Sequence, residues 1–338
     1  MPLHHRFTPA DLLRCRFAIS PLWETQEAVR TLLRPHRQAY HLPWLRRIRA
    51  AADQLDLSPL WLLMPRSGHS PDLLSPPPLG PTTAFEDELD RVRATDPALA
   101  REDLRKALAS TPGALDTPTG RRFLADPARA VETIADLMAR AWYGLIEPHW
   151  PRLRALLEAD ILFHSRRLAD GGLEELFDGL HPDVRWHGPT NTLTLDRRSH
   201  HDRELGGQGL LLMPSAFIWP NVAGGFDPPW QPTVVYPARG IGALWSRTAE
   251  RTPDALARLL GRARADVLCA LHEPASTTAL AHRLRLAPST VSAHLKALHG
   301  AGLLQPHRRG HQVLYERTPL GIALAAGATP GAGAPVVS

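Results

Sequence analysis

The segment that most constrains the fold is residues 287–304, which read APSTVSAHLKALHGAGLL. Val291, Leu295 and Leu298 stand at i, i+4 and i+7, so they form one apolar stripe along a helix. The proline before the stripe suits the first helical turn, and the glycines after it end the helix. Small hydroxyl and cationic side chains occupy the other faces. We therefore predict a helix that packs through one stripe and offers its polar face to an external partner.

Positive charge is concentrated in the same part of the chain. Residues 254–317 hold nine Arg or Lys against four Asp or Glu, whereas the rest of the chain holds thirty of each. This segment therefore accounts for the whole formal net charge of +5. A neutral body with a compact basic end is typical of proteins that bind the phosphate backbone of nucleic acids.

Residues 254–317 are predicted to form helix, helix, turn, helix and hairpin. The first helix runs from Asp254 to Pro274, and Ser276 or Thr277 caps the second. Beyond the third helix, HRRGHQVLYER has a glycine at its tip and alternating residues after it, which is typical of a β-hairpin wing. The residues expected to close a core between the second and third helices are Leu280, Leu284, Val291 and Leu295.

The run LAHRLRLAPSTVSAHLKALHGAGLL, followed by RRGHQVLY, resembles the winged helix-turn-helix of the ArsR/SmtB family of bacterial transcription regulators. Spacing and residue type agree with the family pattern through both helices, the turn and the wing. The resemblance implies a DNA-binding regulator, most often a repressor, that binds a palindromic operator as a homodimer. The earlier stretch CRFAISPLWETQEAVRTL resembles the uncharacterised helical N-terminal domain of some larger regulators from high-GC bacteria.

The candidate contacts with double-stranded DNA fall into two groups. Hydroxyl side chains near helix N-termini and the basic wing are expected at phosphates, because free amides and the helix dipole favour anions there. Side chains along the third helix are expected at base edges in the major groove. The predicted DNA-binding residues are Ser276, Thr277, Ser289, Thr290, Ser292, Ala293, His294, Lys296, Arg308, Arg309 and His311.

Metal sensing is not expected to carry over from the family. Metal-sensing relatives have a Cys-x-Cys pair where this chain has Ser276 and Thr278, which supply no thiolate. Other relatives use His and acidic residues on the last helix, but TPLGIALAAG has none. We therefore predict no metal and no cofactor. Ala293 and His311 also replace residues common in the family, so the resemblance does not predict which bases are read.

The rest of the chain is predicted to be mainly helical. Residues 1–170 read as helices interrupted by proline, and residues 171–250 as short strands that form a small antiparallel β-sheet. Residues 251–325 form the C-terminal winged helix-turn-helix, and residues 326–338, rich in Gly, Ala and Pro, form a disordered tail. The predicted fold class is mainly α with a small antiparallel β-sheet and a C-terminal winged helix.

Composition argues against membrane and secreted proteins. The longest apolar runs, LWLLM and GLLLM, are far shorter than a membrane span. The first residues carry charges throughout, unlike a leader peptide, and Cys15 and Cys269 are expected to be reduced thiols. We expect a cytoplasmic protein with no membrane partner.

Two alternatives to a regulator remain open. The first is a metal-dependent hydrolytic enzyme fused to a winged helix, and the second is a winged helix used for protein interaction. The histidines lack a recognised metal-site spacing, and G-x-S-x-G, H-E-x-x-H and Walker motifs are missing, so we expect solvated loop histidines and no enzyme. The potential ligands of the first alternative are His181, His187, His200, His201 and Asp202.

The tryptophans of the N-terminal region are expected to pack helices against one another. Even so, this region is larger than dimerisation alone requires. We therefore expect a concave apolar pocket there that receives a small-molecule effector.

Overall fold

The chain forms two compact units in the computed structural model. The N-terminal unit comprises Met1–Gln38 and Trp44–Arg239, and the C-terminal unit comprises Ala39–Pro43 and Gly240–Ser338. The structure describes residues 3–33, 39–65, 68–196, 202–226, 230–242, 244–245, 254–309 and 312–325. The predicted tail, residues 326–338, lies outside this range. The described part is mainly helical with small sheets and a C-terminal winged helix, which confirms the predicted fold class.

Many helices of the N-terminal unit begin with the same local device, a capping side chain followed by proline. Thr8, Asp96, Thr117 and Asp126 each accept a hydrogen bond from a first-turn amide, and proline occupies an early helical position. The α-helices with residues in this unit are α1 (Pro9–Leu12), α2 (Pro21–Leu33), α3 (Leu42–Asp53), α4 (Ser58–Trp61), α5 (Phe85–Arg93), α6 (Pro97–Ser110), α7 (Pro118–Ala125), α8 (Pro127–Ala141) and α9 (Trp150–Asp178). Shorter helical turns occur at Asp72–Leu74, Ala114–Asp116, Trp142–Ile146, Glu147–His149 and Gly188–Thr190.

Aromatic side chains pack these helices together, as the sequence predicted. Trp44 is fully buried, and Trp142 stacks on Phe85 with ring centroids 4.6 Å apart. Helix α2 is buried on nearly every side, including the ionisable residues Glu24 and Glu27. No helix in the described residues is both long and apolar enough to cross a membrane.

The β-structure of the N-terminal unit differs from the predicted antiparallel sheet, because it comprises two mixed sheets. One has the strand order β3-β4-β1-β5, and the other has the order β2-β6-β8-β7. The pairs β1–β5, β2–β6 and β6–β8 are parallel, and the remaining pairs are antiparallel. The strands are β1 (Leu3–Arg6), β2 (Arg16–Phe17), β3 (Val184–His187), β4 (Thr192–Leu195), β5 (Asp202–Glu204), β6 (Leu211–Ser215), β7 (Ala223–Gly225) and β8 (Thr233–Pro237).

Two of the three parallel pairs, β1–β5 and β2–β6, arise because strands from the start of the chain join strands that lie far along it. β1 and β2 lie at the start of the chain and are too short to show an alternating pattern, yet they join strands almost 200 residues away. The third parallel pair, β6–β8, is joined by residues 216–232, which include β7. Parallel neighbours need a crossover of about a dozen residues or more, whereas the local hairpins that the sequence suggested are antiparallel.

The C-terminal unit consists of helices around a small apolar core and a three-stranded sheet of order β10-β11-β9. Its helices are α10 (Asp254–Leu260), α11 (Arg262–Ala270), α12 (Thr277–Leu284), α13 (Pro288–Gly300) and α14 (Pro319–Ala325), with a short turn at Ala39–His41. Its strands are β9 (Ala275–Ser276), β10 (Leu304–Arg309) and β11 (Gln312–Arg317).

The single helix predicted from Asp254 to Pro274 is wrong, because two helices occupy that stretch. Gly261 lies between them with φ +80°, a backbone conformation that glycine adopts without strain and that ends an α-helix. Helix α11 then ends at Ala270, four residues before the proline.

The predicted core of the helix-turn-helix is present. Leu280, Val291 and Leu295 are fully buried, Leu298 is 1% exposed, and Leu284 is partly buried against them. Burial of each such side chain contributes about 1.5–3 kcal/mol to folding. The helical spacing in the sequence therefore identified the inward face of α13 correctly.

Candidate nucleic-acid interface

The outward face of α13 carries most of the predicted base-reading side chains. Its apolar stripe points into the core, so the opposite side meets solvent. Ser292 and His294 are half-buried at the edges of this side. The exposed positions among the predicted residues of α13 are Ser289, Thr290, Ala293 and Lys296.

The N-terminus of α13 lacks a capping side chain. The residue before the helix is Ala287, which supplies no side-chain acceptor, and Pro288 takes the first helical position. The first intrahelical bond runs from Val291 N to Ala287 O, so the amides of Ser289 and Thr290 have no helical acceptor. Free amide donors at the positive end of the helix dipole favour an anion such as a phosphate oxygen.

Helix α12 begins differently, because its own cap is in place. Ser276 Oγ accepts a hydrogen bond from Ala279 N at 3.2 Å, which settles the choice between Ser276 and Thr277 as cap in favour of Ser276. The hydroxyl hydrogen of Ser276 is not consumed by this bond, since the oxygen acts as acceptor. Both side chains are half-buried. Ser276 also belongs to β9 and pairs with Leu314, which links the start of α12 to the wing strand β11.

The turn between α12 and α13 exposes a cation that was not among the residues predicted from the sequence. Arg285 has φ +55° and ends α12 by donating its backbone N–H to Ala281 O and His282 O. Its side chain is exposed and has no acidic partner among the residues that the structure describes. The only sequence signal is its place in the turn just before the third helix.

The wing brings a further exposed cation close to the hairpin tip. Arg308 lies opposite Val313, and Arg309 lies opposite Gln312 as the last pair of the hairpin. The Arg308 side chain is exposed, and no ion pair to it occurs within the described ranges. His311 lies outside the described residues, as does the side chain of Arg309.

Other basic residues of the C-terminal unit have internal partners instead. Arg283 pairs with Glu273 and donates to Ala270 O at 2.6 Å. Arg317 is buried, where desolvation lowers its pKa, and its Nε donates to Leu271 O at 2.7 Å. The net charge of the segment therefore overstates the charge available to a partner. The cations that a partner can contact are the exposed ones at α13, the turn and the wing.

The histidine-rich stretch of the N-terminal unit does not form a metal site in the described residues. The expectation of a solvated loop histidine is wrong for His181, which is 4% exposed and whose Nδ1 accepts a hydrogen bond from Asp183 N at 3.1 Å. His187 is exposed, while His200 and His201 lie outside the described residues, as does the side chain of Asp202. Throughout the described part, no three His, Cys, Asp or Glu side chains converge as metal ligands would.

Both cysteines are half-buried, and neither forms a disulfide. Cys15 Sγ donates to Asp11 O at 3.4 Å, and burial raises the pKa of this thiol. The neighbouring arginines in the sequence therefore do not make Cys15 reactive, because a thiol with a raised pKa holds less of the nucleophilic thiolate.

A pocket of about 770 Å³ lies at the first turns of α6 and α8. Six of its twelve lining residues are charged: Arg93, Asp96, Asp126, Arg129, Glu132 and Asp136. It is therefore unlike the apolar effector pocket expected from the sequence, and the effector remains a prediction.

Two family models match parts of the chain. Residues 262–305, from the start of α11 into β10, match the bacterial regulatory protein, arsR family. Residues 93–242 match a family of unknown function, DUF5937. No curated protein and no solved structure matches the chain. The first match supports a DNA-binding transcription regulator.

Proposed function

We propose that this chain is a transcriptional repressor that binds double-stranded operator DNA through α13 and the β10–β11 wing. The observation that carries the proposal is the uncapped, solvent-facing N-terminus of α13, with Ser289 and Thr290 at the free amides and Lys296 two turns on. The similarity of residues 262–305 to arsR-family regulators supports it. In this proposal the chain is a regulator rather than an enzyme, and it needs no cofactor.

The contacts divide into those that position the protein and those that read sequence. Ser276, Thr277, Ser289 and Thr290 donate to phosphates beside the two helix N-termini, and Arg285 adds a charge in the turn between them. The wing residues Arg308, Arg309 and His311 follow the backbone toward the neighbouring minor groove. Ser292, Ala293, His294 and Lys296 face base edges, where Lys296 can reach guanine acceptors and Ala293 a thymine methyl.

The operator is a palindrome and the protein binds it as a homodimer. Two-fold symmetry then places two copies of α13 about 34 Å apart, one turn of DNA, which matches successive major grooves on one side of the duplex. A small-molecule effector in the N-terminal unit changes operator affinity by favouring one arrangement of the winged helices.

The test is a binding assay with the full chain and the DNA directly upstream of its own gene. A random duplex of equal length and base composition serves as the reference at the same salt concentration, since phosphate contacts alone depend steeply on salt. We expect fluorescence anisotropy to give at least about 10³-fold tighter binding to the upstream DNA, at two chains per duplex. Equal binding to both duplexes, or none to either, contradicts the proposal and favours a protein-interaction role.

The two lysines of the chain provide a matched pair of variants. Lys296→Ala is expected to weaken specific binding by about 1–3 kcal/mol if the side chain reads a base. Lys106→Ala removes the same charge from α6, where Lys106 lies 4.0 Å from Glu102, and is expected to change nothing. Equal weakening by Lys296→Ala on specific and random duplexes would assign Lys296 to a phosphate instead.

A further inference from the structure

The chain passes between the two units three times. Residues 39–43 belong to the C-terminal unit, although residues before and after them belong to the N-terminal unit. The third passage follows Arg239, after which the chain stays in the C-terminal unit. Two short segments of the C-terminal unit are thus joined directly to residues of the other unit.

These two segments bind each other. Trp245 Nε1 donates to His41 Nδ1 at 2.9 Å, and the two rings meet edge to face with centroids 6.1 Å apart. His41 is fully buried and Trp245 is 3% exposed. We call the buried set the collar; its members are Tyr40, His41, Ile241, Leu244 and Trp245, all at most 4% exposed.

The collar also binds the winged helix itself. Arg317 N, at the end of the wing strand β11, donates to Tyr40 Oη at 3.3 Å. Gly240, the residue directly before Ile241 of the collar, donates its N–H at 3.0 Å to Glu273, which in turn pairs with Arg283 of α12. Gly242, which follows Ile241 of the collar, lies so close to His272 O that a Cβ there would overlap it, so only glycine fits. The collar and the glycines beside it therefore contact the wing strand β11 and Glu273, the partner of Arg283 in α12.

The residues next to the collar are anchored in the N-terminal unit. Trp44, which follows Pro43 within α3, is fully buried and donates its Nε1 to Leu145 O at 3.2 Å. Arg239 N, one residue before Gly240, donates to Asp160 Oδ1 at 2.9 Å. Trp44 directly follows residues 39–43, and Arg239 directly precedes Gly240. A rearrangement that moves Trp44 or Arg239 therefore displaces or strains the collar segment to which that residue is bonded.

We propose that the collar is the connection through which the state of the N-terminal unit changes the DNA affinity of the winged helix. This inference rests on the proposed function, because it concerns the regulation of the same DNA site. The coupling can be tested without a known effector, because it is reciprocal. If a change of state in the N-terminal unit shifts DNA affinity by some factor, DNA binding shifts the equilibrium between those states by the same factor.

The experiment is hydrogen exchange of the full chain with and without the upstream duplex. We expect DNA to protect residues 288–300. We also expect it to change exchange in peptides of α9, which holds Asp160, and of α2, which packs against the turn that holds Leu145, by at least about 5-fold, the lower end of ordinary coupling factors. Trp245→Phe keeps the aromatic packing but removes the donor to His41. In that variant, residues 288–300 remain protected while the change in α2 and α9 is lost.

The matched control is Trp61→Phe, which removes an indole N–H that has no hydrogen-bond partner in the described part of the chain. It is expected to behave as the unmodified protein. Tyr40→Phe removes only the acceptor for Arg317 N and gives the same test if Trp245→Phe does not fold.

The outcomes separate the two proposals. Protection of residues 288–300 with no response in α2 or α9 of the unmodified chain overturns the coupling and leaves DNA binding intact. A response that survives both collar variants overturns the role of the collar. No protection of residues 288–300 by DNA overturns the proposed function, and the coupling with it.

Discussion

The two units differ in how they hold their most deeply buried glutamates. In the C-terminal unit, buried Glu273 and Glu316 are paired with Arg283 and His307. In the N-terminal unit, Glu24 accepts from Ala216 N, and no cation lies within ion-pair distance of it in the residues described. The comparison teaches that the buried glutamates of the C-terminal unit have basic partners, whereas in the N-terminal unit Glu27 pairs with Arg30 but the more deeply buried Glu24 and Glu88 are held as neutral acids.

The pKa values of the N-terminal unit follow from this burial. Desolvation raises the pKa of Glu24 and of Glu88 to about 8, despite hydrogen bonds that lower both. Desolvation lowers the pKa of His5 to about 4 and that of His164 to about 3. Near pH 7 these groups are mostly neutral in the folded protein, because burial disfavours the charged form of each.

The largest expected effect tests the apolar core of the C-terminal unit. Leu295→Ala removes a fully buried side chain from α13 and is expected to lower the free energy of unfolding by about 2–5 kcal/mol. Leu320→Ala, on α14, is the matched control because Leu320 is 55% exposed, and its effect should stay within about 0.5 kcal/mol. Urea denaturation followed by circular dichroism measures both. Similar losses in the two variants would show that α13 does not pack through the stripe.

The next largest expected effect is a pH dependence of the free energy of unfolding that arises in the N-terminal unit. Glutamate ionises near pH 4.5 when unfolded, so the stability that protonated Glu24 and Glu88 contribute is complete below that pH and is lost as pH rises to about 8. The histidines act in the opposite sense, because their contribution is complete above pH 6.5 and is lost as pH falls to about 3–4. Between pH 6.5 and 8, the free energy of unfolding should therefore fall by about 2 kcal/mol per glutamate.

Glu24→Gln and Glu88→Gln sharpen this test, because an amide keeps the shape of the acid but does not titrate. Each variant should flatten the pH dependence measured by thermal unfolding between pH 6.5 and 8. An unchanged slope in both variants would mean that the two carboxyl groups are ionised in the folded protein.

The smallest effect compares the first turns of α12 and α13. Ser276→Ala removes the cap of α12 and should cost about 1 kcal/mol of folding stability. Ser289 caps nothing, so Ser289→Ala should leave stability within about 0.5 kcal/mol while weakening DNA binding. Thermal unfolding and anisotropy together distinguish the two serines. A loss of stability in Ser289→Ala without a loss of affinity would assign that serine a structural role.

The sequence predicted the parts of the fold that depend on local periodicity. The stripe of Val291, Leu295 and Leu298 fits one helix face only, so both α13 and its outward side followed from it. The break at Gly261 was missed because the apolar pattern continues across it. Strand β9 was missed because it has two residues and its partner lies almost 40 residues away. Pairing over such distances leaves no local signal.

The sequence pattern also did not predict which polar side chains are buried. Helix α2 has buried polar residues on several faces, and periodicity reports one apolar face at most. Within the candidate site, the residues of α13 and the wing could be chosen from their pattern and the family resemblance. Arg285 was missed because it lies in the turn, outside the helix and wing patterns from which the other residues were chosen.

The central claim is that the outward face of α13 touches operator DNA, and photo-crosslinking tests it most directly. A photoreactive phenylalanine analogue replaces exposed Ala293 in one sample and exposed Ala128, on α8, in another. We predict a covalent adduct with the upstream duplex only from position 293, suppressed by unlabelled upstream duplex but not by random duplex. No adduct from position 293, or equal adducts from both positions, would contradict the claim.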